Sequence, residues 1–166
     1  MIPLALERVA ELVPGQLDRA GWTDEITGVQ VDSRRIEEGD LFVAVGDGAA
    51  YRKHAFARGA AATLLPKDAF TALAALADAV REQSSARFVA ITGSMGKTST
   101  KDILASICAP QRKTVAAERS YNAEIGVPLT IGRVEPDTEL CILELAMRGF
   151  GQIGRASCRE RVYDDV

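Results

Sequence analysis

The chain has 166 residues, 47% hydrophobic and 26% charged, which is enough apolar material for a packed core and excludes disorder throughout. Twenty Lys and Arg against 23 Asp and Glu leave a net charge of -3, so the global basic field that drives nucleic-acid binding is absent and small-molecule chemistry is favoured. No apolar run reaches the roughly 20 residues of a membrane span. Glu7 and Arg8 interrupt the place of a signal peptide, and Cys108, Cys141 and Cys158 show neither metal-ligand spacing nor a disulfide framework, so a cytoplasmic setting is expected.

In chain order, Leu6, Val9, Ala10 and Val13 recur at helical spacing within Leu4 to Val13, and Pro14-Gly15 ends that short opening helix. Gly28 to Val31 alternates as a strand does, Asp32 to Asp40 is rich in turn formers, and Leu41 to Val45 is an apolar run: strand, turn, strand. Gly46-Asp47-Gly48 opens a loop, His54 to Arg58 has room only for a short helix before Gly59, and Ala60 to Leu65 reads as a buried strand. Asp68 is placed to cap a helix running to Glu82, with Phe70, Leu73, Ala74, Ala77 and Val80 on its buried face.

Gln83-Ser84-Ser85 marks a domain boundary, after which the pattern changes. Strand Arg87 to Ile91, helix Thr98 to Cys108, strand Lys113 to Ala116 and strand Leu140 to Leu145 alternate in the manner of a parallel, right-handed α/β unit. The expected fold is α/β: a small N-terminal α/β domain over residues 1–84, followed by the first part of a phosphate-loop, parallel-sheet ATPase domain over 85–153.

Chemistry concentrates behind the first strand of the second unit. In Thr92-Gly93-Ser94-Met95-Gly96-Lys97-Thr98, glycines stand where a strand turns into a helix, so backbone N–H groups can surround phosphate oxygens. Lys97 would reach the terminal phosphates and Thr98 would hold Mg2+. Ile91 occupies the position of the first glycine in the full-length pattern, which makes this a shortened Gly-x-x-Gly-Lys-Thr loop and argues against an unrelated phosphate-loop NTPase or kinase.

Glu144 ends the apolar strand Cys141-Ile142-Leu143, at the edge where open α/β sheets bind ligands; it is a candidate magnesium ligand or, taken alone, a solvated strand end. Asn122 to Pro128 combines an amide, a glycine and a proline, suited to a fixed backbone near a ligand or to a structural turn. Asp32-Ser33-Arg34 offers a hydroxyl beside a guanidinium, fit for a diphosphate or for a capped turn. His54 has no Cys, His or acid partner at ligand spacing and is read as structural.

These segments together resemble the Mur ligases. Ile91 to Lys101 resembles the family's nucleotide loop, and Asn122 to Pro128 its Asn-Asn-Glu-Ile-Gly-Val-Pro segment with Ala123 in place of the second Asn. Glu144-Leu145-Ala146-Met147-Arg148-Gly149, followed by Gly151-Gln152-Ile153, is similar to the metal-binding strand end of the branch that joins D-alanyl-D-alanine to UDP-N-acetylmuramoyl-tripeptide, whereas a sister ligase carries Ser-Ser-His after that acid. Asp32-Ser33-Arg34, Gly39 to Ala44 and His54-Ala55-Phe56 resemble the small domain that recognises the UDP end of the substrate.

The resemblance implies an ATP-dependent amide ligase of peptidoglycan synthesis, monomeric when intact. ATP would be bound by Lys97 with Gly93, Ser94, Gly96, Thr98, Ser99 and Asn122, magnesium by Thr98 and Glu144, and the UDP-sugar by Ser33 and Arg34. It also implies catalytic roles for Lys97 and Glu144, transfer of the γ-phosphoryl group to a carboxylate, and attack on the resulting acyl phosphate by an amine. Two departures carry expectations of their own. The interval between Phe56 and Gly59 is shorter than in the family, which predicts loose packing there. Residues 154–166 leave the family pattern and resemble translated adaptor sequence where the family would continue through the rest of its ATPase domain and a third domain, so this chain is expected not to catalyse ligation; a non-catalytic nucleotide or UDP-sugar binding module is the alternative.

Overall fold

A computed structural model describes residues 1–118 and 124–146. The first unit is built on a four-stranded sheet in the order β2-β6-β5-β4: β2 (Gly15–Arg19), β4 (Gly28–Gln30), β5 (Asp40–Val43) and β6 (Ala62–Pro66). β4, β5 and β6 are mutually parallel, and β2 closes one edge antiparallel to β6. A two-residue ladder of β1 (Leu4–Ala5) with β3 (Glu25–Ile26) lies beside helix α1 (Leu6–Leu12). β5 is buried along its whole length, as a strand covered on both faces must be, which is why Leu41 to Val43 are an apolar run and not an alternation.

Helix α2 (Arg52–Ala57) follows a 3-10 helix over Gly46–Tyr51, where the sequence predicts only a loop. The expected loose packing around Phe56 to Gly59 is not found. Ile36, Phe42, Ala44, Ala55 and Ala60 form a tight satellite core, and Gly59 turns with φ +99° where an added Cβ would stand 3.3 Å from Glu38 Cα. Alanines at this seam let the short helix pack closely on the sheet. Arg52 fastens the helix to β2 through an ion pair with Asp18.

Helix α3 (Ala69–Gln83) starts where Asp68 Oδ1 accepts the Phe70 amide at 3.0 Å, the expected cap. Its buried arc is Ala72, Leu73, Leu76, Ala77, Ala79 and Val80, and Phe70 is 44% exposed. This corrects the expected face at Phe70 and at Ala74, which is only half-buried: Ala72, Leu73, Leu76, Ala77, Ala79 and Val80 fill the arc that meets α1, β6 and a later helix over Gly126–Ile131.

The second sheet is wholly parallel in the order β7-β9-β8, with β7 (Arg87–Ile91), β8 (Thr114–Ala116) and β9 (Leu140–Glu144). Helix α4 (Lys97–Cys108) connects β7 to β8. The span expected to be a loop at Asn122 to Pro128 runs into helix α5 (Gly126–Ile131). Pro128 sits in the first turn, where a missing N–H costs no helical hydrogen bond, so Gly and Pro there are compatible with a helix start.

The two sheets share one cluster of buried apolar side chains, running from Ile2, Leu6 and Leu41 through Leu73 and Val80 to Val127, Ile131, Cys141 and Leu143. α3 packs on α5, and the Ile2 amide donates to Val134 O at 2.7 Å. Burial pushes the Cys141 thiol up to about 12. In urea, reaction of Cys141 with a thiol reagent and loss of helical circular dichroism are expected to share one midpoint; two separated midpoints would mean that the sheets unfold independently.

Candidate nucleotide-binding site

The turn from β7 into α4 needs two unusual backbone conformations, and glycine supplies both: Gly93 at φ +149° and Gly96 at φ +77°. The helical ladder begins with the Thr100 amide donating to Gly96 O at 2.9 Å. The amides of Lys97, Thr98 and Ser99 therefore precede the ladder, the arrangement that makes a helix N-terminus an anion site. Ser94 lies in the loop, and Met95 at its tip is 89% exposed. Lys97 Nζ donates to Gly93 O at 2.7 Å, folding the ammonium over the loop that its own helix closes.

Glu144 is brought to this turn by strand register. β9 pairs with β7 so that Glu144 stands opposite Ile91, the last residue before the loop, and the Leu145 amide donates to Ile91 O at 2.9 Å. Thr98 Oγ1 donates to both carboxylate oxygens, at 3.0 Å to Oε1 and 2.9 Å to Oε2, and Glu144 is only 1% exposed. A hydroxyl and a buried carboxylate thus meet beside the phosphate loop, forming an oxygen-only donor pair of the kind that hard divalent cations prefer.

The Asp32-Ser33-Arg34 segment forms a 3-10 turn over Ser33–Arg35, with Asp32 Oδ1 accepting the Arg34 amide at 3.0 Å. Arg34 turns back on Asp32 in a bidentate pair, Nε to Oδ1 at 2.9 Å and Nη2 to Oδ2 at 2.7 Å, and the guanidinium holds the half-buried Asp32 carboxyl down at about 2. Ser33 is 6% exposed, and its Oγ lies 3.0 Å from His54 Nδ1. His54, read from sequence as structural, therefore touches the hydroxyl that the resemblance assigns to the sugar nucleotide. Hydrogen-bond distance carries that signal; sequence spacing does not.

Arg35 of the same turn reaches across to Glu118 just past β8, at 2.9 Å, and Arg133 pairs with the other oxygen of Glu118 at 3.1 Å. The expected ligand Asn122 lies outside the described residues, as do Met147, Arg148, Gly149 and Gly151 to Ile153. Among the described residues, no group of three or more His, Cys, Asp and Glu is placed to hold a metal, and no helix is long and apolar enough to cross a membrane.

A parallel sheet whose first strand turns through a glycine loop into a helix, with an acid at the end of the adjacent strand, defines a phosphate-loop α/β domain. Residues 91–160 match the family described as the Mur ligase middle domain. The UDP-N-acetylmuramoyl-tripeptide--D-alanyl-D-alanine ligase of Bacillus subtilis (strain 168) is 31% identical over 92% of the chain and 38% of its own length. The structure of MurF from Acinetobacter baumannii superposes with a TM-score of 0.78 at 28% identity, covering 93% of this chain and 38% of that one. The MurF ligase of Thermotoga maritima, solved in complex with ADP, is 30% identical with a TM-score of 0.57, over 70% of this chain and 31% of its own. The chain belongs to the Mur ligase family and spans between 31% and 38% of the length of these relatives.

Thr98→Val, which keeps the shape and removes the hydroxyl, is expected to lower the unfolding free energy by about 1–3 kcal/mol, because it takes a donor from a buried carboxylate. Denaturant unfolding measures this, and an unchanged midpoint would contradict it. At Asp32 the folded value is depressed, so its contribution to stability is complete above the ordinary 3.8 and is lost as pH falls toward 2. A carboxyl NMR titration midpoint near 3.8 would show that the Arg34 pair does not form in solution.

Proposed function

We propose that the protein to which these residues belong is an ATP-dependent amide ligase that joins D-alanyl-D-alanine to UDP-N-acetylmuramoyl-tripeptide in the cytoplasm, a step of peptidoglycan synthesis. The observation that carries this reading is the contact of Thr98 with the buried Glu144 beside the glycine loop. The D-alanyl-D-alanine ligases among its relatives and the ADP complex of one of them support the substrate and the nucleotide. In this reading residues 85–153 form the nucleotide unit and residues 1–84 the sugar-nucleotide unit.

In this reading the residues take the following roles, which the loop geometry supports for those that are described. The amides of Lys97, Thr98 and Ser99 and the loop at Gly93, Ser94 and Gly96 bind phosphate oxygens, with Asn122 as a further contact. Lys97 exchanges its bond to Gly93 O for one to a terminal phosphate oxygen, placing its charge where the transferring group becomes more negative. Mg2+ fits the oxygen donors of Thr98 and Glu144, and when bound it supplies charge compensation at the phosphoryl oxygens. γ-Phosphoryl transfer to the tripeptide carboxylate gives an acyl phosphate and ADP. The amine of D-alanyl-D-alanine then attacks the acyl carbon and releases phosphate.

At the other site, Ser33 presents a hydroxyl oriented by His54, and Arg34 releases Asp32 to meet the diphosphate of the UDP-sugar.

Calorimetric titration of the chain with Mg-ATP and with UDP-N-acetylmuramoyl-tripeptide tests both sites. Lys97→Ala is expected to weaken Mg-ATP by about tenfold or more, which is about 1.4 kcal/mol, and to leave the sugar nucleotide unaffected. No uptake of Mg-ATP by the unaltered chain would sink the nucleotide reading, whatever the sugar nucleotide does.

A further inference from the structure

Lys101 takes no part in the mechanism above, yet it is the most deeply buried cation in its neighbourhood. Its side chain is 3% exposed, against 44% for Arg35 and 46% for Arg133, which also act at the end of β8. Its Nζ donates to Ala117 O at 2.6 Å and pairs with Asp102 Oδ1 at 2.8 Å. Ala117 follows β8 directly and is itself held to the sheet, its amide donating to Ile142 O at 3.0 Å. An ammonium is costly to bury unless it is hydrogen-bonded and paired, so this one is fixed in its geometry.

The spacing along α4 makes that geometry useful. Thr98 and Lys101 are three residues apart, on one face of the helix. Thr98 fastens this face to the C-terminal end of β9 through Glu144, and Lys101 fastens it to the C-terminal end of β8 through Ala117. The helix that presents Lys97 and the loop amides is thus tied at two points to the edge of the sheet where ligands bind. One tie alone would leave α4 able to pivot about it.

We propose that Lys101 is a positioning residue of the nucleotide site: it sets the distance of α4 from the sheet edge and so aims Lys97 and the first-turn amides. This inference rests on the nucleotide reading. The role needs a donor that reaches Ala117 O, so Arg can substitute in part and Met cannot.

The test compares Mg-ADP affinity of the unaltered chain, Lys101→Met and Lys101→Arg by calorimetry, with UDP-sugar affinity as the control. Lys101→Met is expected to lose about tenfold in Mg-ADP affinity, the scale on which groups that orient a site act. It should keep UDP-sugar affinity, and Lys101→Arg should recover part of the loss. Equal Mg-ADP affinity in the unaltered and Met chains overturns the inference and leaves the nucleotide reading standing. No Mg-ADP binding by the unaltered chain overturns both.

Should the Met variant not fold, hydrogen exchange on the unaltered chain decides. Saturating Mg-ADP is expected to slow exchange of the Ala117 amide together with that of Thr100. Slowing at Thr100 with none at Ala117 overturns the proposal.

Discussion

The site depends on β9 lying between β7 and β8. Only that order puts the end of β9 beside the turn that leaves β7, and only the observed register sets Glu144 opposite Ile91. A shift of one residue would turn the buried residues of β9 to the opposite face and carry the carboxylate away from Thr98. The strand can hold this place because Leu140 to Glu144 are buried throughout, so its apolar run is covered on both sides. Glu144 is the exception in that run, a buried polar side chain whose two carboxyl oxygens both meet the Thr98 hydroxyl.

The same logic separates the polar contacts that shape the molecule from those that decorate it. Arg8 with Glu11 and Arg19 with Glu7 are exposed pairs, and such pairs contribute little. Lys101 and Glu144 are buried, so removing either partner's bond leaves a polar group without water to replace it. Glu118 falls between these cases: half-exposed, it is held by Arg35 from the first unit and by Arg133 from the second. It spans the seam that the shared apolar cluster already closes, adding direction to an attachment whose energy comes from burial.

Much of the fold was legible along the chain because local patterns and tertiary burial agree. β7 was read to its terminal residues, and α4 and the Asp68 cap of α3 lie where spacing and capping chemistry put them. β2 is a polar edge strand with only Leu17 and Asp18 half-buried, so it carries no alternation strong enough to read. α5 opens with Gly126 and holds Pro128, residues that read as breakers unless the helix start is known. Spacing puts Phe70 on a buried face, but the buried arc of α3 begins at Ala72 and leaves Phe70 exposed.

The sequence by itself determined the α/β class, the glycine loop and its lysine, because these rest on contiguous residues whose backbone freedom and period are local properties. It also marked Glu144 and Asp32 to Arg34 as candidates through the strand end and the turn they occupy. Only the tertiary structure decided that Thr98 meets Glu144 across 46 positions of chain, that His54 meets Ser33, and that Lys101 reaches Ala117. Such contacts are set by strand order, register and the seating of helices on sheets. Those follow from how the whole core packs and leave no mark in the spacing of the residues concerned.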